Sequence, residues 1–128
     1  MLQHTLHYFL HFGLPLFIAL IFFKKEWKKI YVIFILTMLI DLDHLLANPI
    51  FESNRCSINF HPLHTFYAFL IYLGLMLLKK PFNIIGLGLT CHMLTDFIDC
   101  IFIYSNCNGC IINNHTIELI YFLNNILT

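Results

Sequence analysis

The sequence predicts an all-α fold: a polytopic membrane bundle of four transmembrane helices with a short C-terminal helix. Three observations predict it. Of 128 residues, 59% are hydrophobic and 11% charged, where a soluble domain carries about a quarter charged residues. Apolar runs close to the ~20 residues that cross a ~30 Å hydrocarbon core occur four times. Six of the seven basic residues fall in two of the intervening loops. One domain, residues 1–128, accommodates all of this.

The first span is expected at about 2–23, ended by Lys24-Lys25-Glu26-Trp27-Lys28-Lys29. It has neither a basic leader nor a small-residue cleavage site, and it carries His4, His7 and His11, so it reads as a retained helix. The second span, about 30–46, stops before Asn48-Pro49. A polar loop follows over 48–60. The third, about 61–78, ends at Lys79-Lys80-Pro81, and the fourth covers about 82–104. Ser-Asn-Cys-Asn-Gly-Cys at 105–110 is a loop by composition. The polar-studded tail suits a short interfacial or packed helix at about 112–126. By the positive-inside rule the two lysine loops are cytoplasmic, which turns the N-terminus and the 48–60 loop outward. Ile, Phe, Asn and Lys richness with little Ala hints at an AT-rich genome, and the expected location is a bacterial cytoplasmic membrane. A net charge of zero supplies no basic field for nucleic acid, so membrane lipids are the expected surroundings.

The few polar residues are not scattered. At 1.5 Å per residue above the lysines, His11 and His7 stand at about 20 and 25 Å, and Asp41 and His44 at about 17 and 21 Å. His64 and His61 stand at about 22 and 27 Å, and His92, Asp96 and Asp99 at about 16, 22 and 27 Å. Spacings of three, four and seven place each set on one helix face. Asp43 points away from its set if its helix is regular. An Asp at mid-span costs ~2.5–3.5 kcal/mol, so four cost on the order of 10 kcal/mol. Divalent cations offset that: apparent energies for structural zinc are ~10–16 kcal/mol. Imidazole with carboxylate suits zinc first, then manganese or iron, and the ligand count suits two or three ions. Interhelical polar pairing is the alternative without metal.

Ile-Asp-Leu-Asp-His at 40–44, His-Pro-Leu-His-Thr at 61–65 and Cys-His-Met-Leu-Thr-Asp at 91–96 follow a His-bearing first helix. In that order they resemble the YdjM-type membrane-bound metal-dependent hydrolases. These are similar in turn to zinc-dependent phospholipase C and the single-strand zinc nucleases. The nearest resemblance is to a short bacterial membrane family within that group, over roughly residues 1–100. It implies a helical fold around a multi-metal centre that hydrolyses phosphate esters. Its motifs fall on His7 (or His4), Asp41, His44, His64, His92 and Asp96; Pro62 and Leu63 stand where relatives often carry an Arg.

The expected ligand set is therefore His7, His11, Asp41, His44, His61, His64, His92 and Asp96. Asp43 or Asp99 would orient the attacking water, and Arg55 would hold the ester. A site near the headgroups favours a phospholipid or a lipid-linked phosphate at the outer face. The alternative is an inactive metal-stabilised scaffold or partner-binding protein. His11 has a second reading, because Pro15 cannot donate to its carbonyl and a kink follows. Asp99 can also hold an imidazole or face water, and Arg55 can instead order its loop. Cys107 and Cys110 suit an outer disulfide, with Cys56 as another participant; Cys91 and Cys100 read as packing residues.

Overall fold

In the computed structural model of the chain, residues 2–50, 52, 54–106 and 110–127 are described, with side chains from Thr5 onward. The side chain of His4, and Cys107, lie outside these. The described residues are helical, with no strand among them; one isolated bridge pairs Arg55 with Ile111.

The first helical run spans 2–22 in three pieces: α1 (Leu2–Tyr8), a π-turn at Phe9–Gly13 and α2 (Leu14–Phe22). The Leu14 N–H reaches back five residues to the Phe9 carbonyl. The widened turn ends immediately before Pro15, whose ring carries no N–H, so the ladder expands where an α-type bond is missing.

The second run begins at α3 (Trp27–Thr37) and tightens into a nine-residue 3-10 helix, Met38–Leu46. Stretches beyond three or four residues are uncommon in this form. Three residues per turn align Met38, Asp41 and His44 on one ridge and bring Asp43 to a second ridge that also faces inward. Asp43 is accordingly 5% exposed, which corrects the expectation that it points elsewhere.

The third run also differs from expectation. Residues 61–65 are not part of its helix: Pro62–His64 form a separate 3-10 turn, and α4 covers only Phe66–Leu75. Thr65 caps α4, its Oγ1 accepting from Ala68 N at 3.2 Å, and Pro62 is tolerated only at a helix start. The height and face assigned to His61 and His64 from a regular helix are therefore replaced by a loop geometry. Asn59 organises that loop from a left-handed backbone (φ 58°), with Oδ1 accepting from Phe66 N at 3.0 Å.

The 25-residue α5 (Phe82–Asn106) is the central post. Gly86 and Gly88 let its neighbours approach on opposite sides. A Cβ at Gly86 would stand 2.7 Å from the Tyr72 carbonyl of α4, and one at Gly88 2.9 Å from Phe34 and Thr37 of α3. Small residues that admit close backbones are the usual means of packing helices in lipid. The tail folds as α6 (Asn114–Leu127) and buries Thr116 and Ile120, with Thr116 Oγ1 donating to the Ile58 carbonyl of the 54–61 loop.

Cys56 and Cys100 form a disulfide that staples this loop to α5, so Cys100 is not the packing residue expected and Cys56 does not pair in the outer loop. Cys91 is a free thiol, and Cys110 is disulfide-bonded. The two lysine loops meet at one end of the bundle: Lys80 Nζ is 3.2 Å from Glu26 Oε2 and lies over the Phe23 ring. Among the described residues, two helical runs are long and apolar enough to cross a membrane, Thr5–Phe22 and Phe82–Asn106.

Candidate metal centre

At the end away from the lysines, the π-turn, the 3-10 ridge, the 61–64 turn and the middle of α5 converge. The innermost group is Asp41, His64, His92 and Asp96, and it could hold a metal ion. His64 Nε2 lies 3.3 Å from His92 Nε2, 3.4 Å from Asp41 Oδ1 and 3.0 Å from Asp96 Oδ2. His92 Nε2 lies 3.1 Å from Asp41 Oδ1 and 3.3 Å from Asp96 Oδ2. Four ligands at zinc bond lengths of ~2.0–2.1 Å occupy tetrahedron corners about 3.3–3.4 Å apart. The observed edges match that spacing.

Two further features fit a cation better than a hydrogen-bonded network. Imidazole nitrogens facing each other at 3.3 Å need something positive between their lone pairs, a proton or a metal. Asp96 Oδ2, although buried, makes no hydrogen bond of acceptable direction to either imidazole. Buried polar atoms without a partner are rare in native folds and call for a cause.

The surroundings are built to keep these groups oriented. His64 Nδ1 is 3.1 Å from Asp43 Oδ2, and that oxygen also accepts from Leu63 N at 2.8 Å. A carboxylate on the outer nitrogen of an imidazole fixes the tautomer so that the other nitrogen offers its lone pair inward. Asp43 thus orients the His64 ring. His92 Nδ1 faces Met38 Sδ at 3.1 Å.

A second group, His7, His11 and Asp96, adjoins the first. His11 Nε2 is 3.4 Å from Asp96 Oδ1, so the two oxygens of Asp96 face different groups. The His11 ring stacks on His92, and the His7 and His11 centroids are 4.3 Å apart. His7 Nδ1, 3.8 Å from Asp99 Oδ2, and His11 Nδ1 are both buried without a hydrogen bond. His7, at the end of α1, and His11, in the π-turn, both face α5.

A third group, Asp43, His44 and His64, is organised differently. His44 Nδ1 is 3.1 Å from Asp43 Oδ1, and its Nε2 is 3.0 Å from Ser57 Oγ. His61 is buried and stacks on His44 at 3.8 Å, outside all three groups. Arg55 sits nearby but its fork is spent on the Pro49 and Ile50 carbonyls at 2.7 and 2.8 Å, with Phe60 beneath it. Its geometry is that of a loop clamp, the second of its two expected uses.

Ser57 and Met38 were not anticipated. Ser57 follows Cys56 in an unpatterned loop that the Cys56–Cys100 bond and the Arg55–Ile111 bridge anchor. A cavity of about 380 Å³ opens onto the cluster, with His7, His11, Asp41, His44, Ser57 and Asp96 on its polar side and Tyr8, Phe12 and Met38 on its apolar side.

Residues 1–103 match a family described as a family of unknown function, DUF6122. The chain belongs to the DUF6122 family. That match covers every residue of the three groups. No curated protein and no solved structure matches the chain.

Proposed function

We propose that this protein is a multi-pass membrane hydrolase of phosphate esters that works with divalent metal, zinc first among the candidates, at the outer face of a bacterial cytoplasmic membrane. The observation that carries the proposal is a set of four ligand residues in which each imidazole nitrogen stands 3.0–3.4 Å from the other and from both carboxylates, with Asp41 and Asp96 lining a cleft. A cation held there acidifies a bound water and draws charge from a phosphoryl oxygen. Asp41, His64, His92 and Asp96 would hold it; His7 and His11, with the other oxygen of Asp96, would hold a second. Asp43 keeps His64 aimed, and the aromatic cleft wall suits the apolar part of a phospholipid or lipid-linked phosphate. The order of the Asp-x-Asp-His, His-x-x-His and His-x-x-x-Asp motifs supports kinship with the YdjM-type hydrolases.

Four crossings are part of this reading. The 27–46 run has eleven residues of α-helix and nine of 3-10 helix. At ~1.5 and ~2.0 Å rise these sum to about 34 Å, enough for the hydrocarbon core. The ten residues of α4 give only about 15 Å and need the loop below them to complete the depth. Contact between Glu26 and Lys80 supports placing both lysine loops on one side.

The test is elemental analysis of purified full-length protein beside turnover on a panel of phosphomonoesters, phosphodiesters and phospholipids. One or more divalent ions per chain with chelator-sensitive turnover is the expected result. Stoichiometric metal without turnover would favour the scaffold reading, and absence of metal would end both.

A further inference from the structure

His44 has both ring nitrogens engaged, by an acid on one side and a hydroxyl on the other. Asp43 Oδ1 stands 3.1 Å from Nδ1, and Ser57 Oγ stands 3.0 Å from Nε2. Hydroxyl, imidazole and buried carboxylate in this order form the arrangement that makes a serine nucleophilic, recognised by geometry and not by chain position. Each member is fixed independently. Asp43 is 5% exposed and its second oxygen is tied to Leu63 N and His64. His44 is stacked on His61. Ser57 follows the disulfide-anchored Cys56, and its carbonyl accepts from Phe60 N and His61 N in a tight turn.

Position completes the case. Ser57 and His44 both line the cleft, so the hydroxyl is reachable by a substrate. His44 Nδ1 is also 3.6 Å from Asp41 Oδ1, which puts the relay at the edge of the four-ligand cluster.

We infer that Ser57 is a nucleophile, with His44 as its proton acceptor and Asp43 as the positioning residue, and that it takes up the phosphoryl group of the substrate. The choice of a phosphoryl group rests on the function proposed above; the relay rests on geometry. In the first half-reaction an Oγ–P bond forms while the P–O bond to the departing alcohol breaks. The Oγ proton passes to His44 Nε2 and on to the departing oxygen. In the second, a water oxygen bonds to phosphorus, the Oγ–P bond breaks, and the water proton returns through His44 to Ser57 Oγ. Nothing beyond ester and water is consumed.

The experiment is labelling of the purified full-length protein with a fluorophosphonate probe, read by intact mass and peptide mapping. One adduct per chain on Ser57 is expected, lost in Ser57→Ala and slowed at least ~100-fold in His44→Gln, the usual scale for removing a positioned base. Retention of metal and of the Cys56–Cys100 bond in Ser57→Ala shows that the variant is folded. An unlabelled Ser57 in the wild type, or labelling indifferent to His44→Gln, overturns the inference. So does phosphoester turnover that survives intact in Ser57→Ala. A His44-dependent adduct on Ser57 in a protein with no phosphoester turnover upholds the relay and overturns the phosphoryl assignment instead.

Discussion

Asp96→Asn separates a metal centre from a polar knot, because only a metal centre makes the cost of the substitution depend on metal. The substitution keeps the shape and removes the charge of the one residue whose oxygens face both groups, Oδ2 at 3.0 and 3.3 Å from His64 and His92 and Oδ1 at 3.4 Å from His11. If four ligands share a zinc binding energy of ~10–16 kcal/mol, one accounts for roughly 2.5–4 kcal/mol. At ~1.4 kcal/mol per decade, affinity should fall roughly 60- to 700-fold. Dialysis against chelators of graded strength, followed by elemental analysis, reads this shift directly. Thermal unfolding should then show the variant less stable than the wild type with metal and close to it without. If cations play no part, Asp96, 4% exposed, is the charged partner of buried imidazoles, and neutralising it breaks that pairing, so the variant should be less stable whether or not metal is present. A wild type that holds metal no more firmly than Asp96→Asn would refute the reasoning.

Asp43→Asn loses the carboxylate behind His64 but no ligand of the inner group, so metal affinity should fall by the smaller ~10- to 100-fold typical of such partners, read by the same titration. Gly88→Leu drives a side chain into Phe34 and Thr37, where even a Cβ stands 2.9 Å away; a loss of at least ~1–3 kcal/mol is expected in thermal unfolding, while Gly74→Ala, with open space around it, should change little. The Cys56–Cys100 bond closes 44 residues of chain, worth about 4 kcal/mol in the chain-entropy treatment. Its paired Ser variants should melt earlier and free the Ser57 loop to proteolysis. Lys24→Cys and Lys79→Cys should react with an impermeant maleimide only in inverted vesicles, and Ser105→Cys only in intact cells; the opposite pattern would reverse the topology.

Much of the site was legible in sequence because ionisable residues in an apolar chain stand out against their background. His7, His11, Asp41, His92 and Asp96 lie on helical runs, where spacing reports face and depth, and the structure brings them together at one level. Two readings failed where the helix stopped being regular, and a third failed on a long-range bond. Asp43 turned inward because residues 38–46 wind at three residues per turn. His61 and His64 left the helix because Thr65 caps it and Pro62 precedes the cap, a signal present in His-Pro-Leu-His-Thr. Cys100 was assigned to packing because a disulfide partner 44 residues away has no local signature.

The sequence by itself determined the solvent-like apolar character, the helical runs, the end at which charge collects and the ligand types available. These follow from composition and from local periodicity, which need no knowledge of the rest of the chain. Only the tertiary structure decided which oxygen meets which nitrogen. The tetrahedral spacing of the inner group, the division of Asp96 between two groups, the engagement of Arg55 and the meeting of Ser57 with His44 depend on crossings between distant segments. Those crossings involve close packing at Gly86 and Gly88 and a covalent staple between residues 44 apart, none of which local sequence reports.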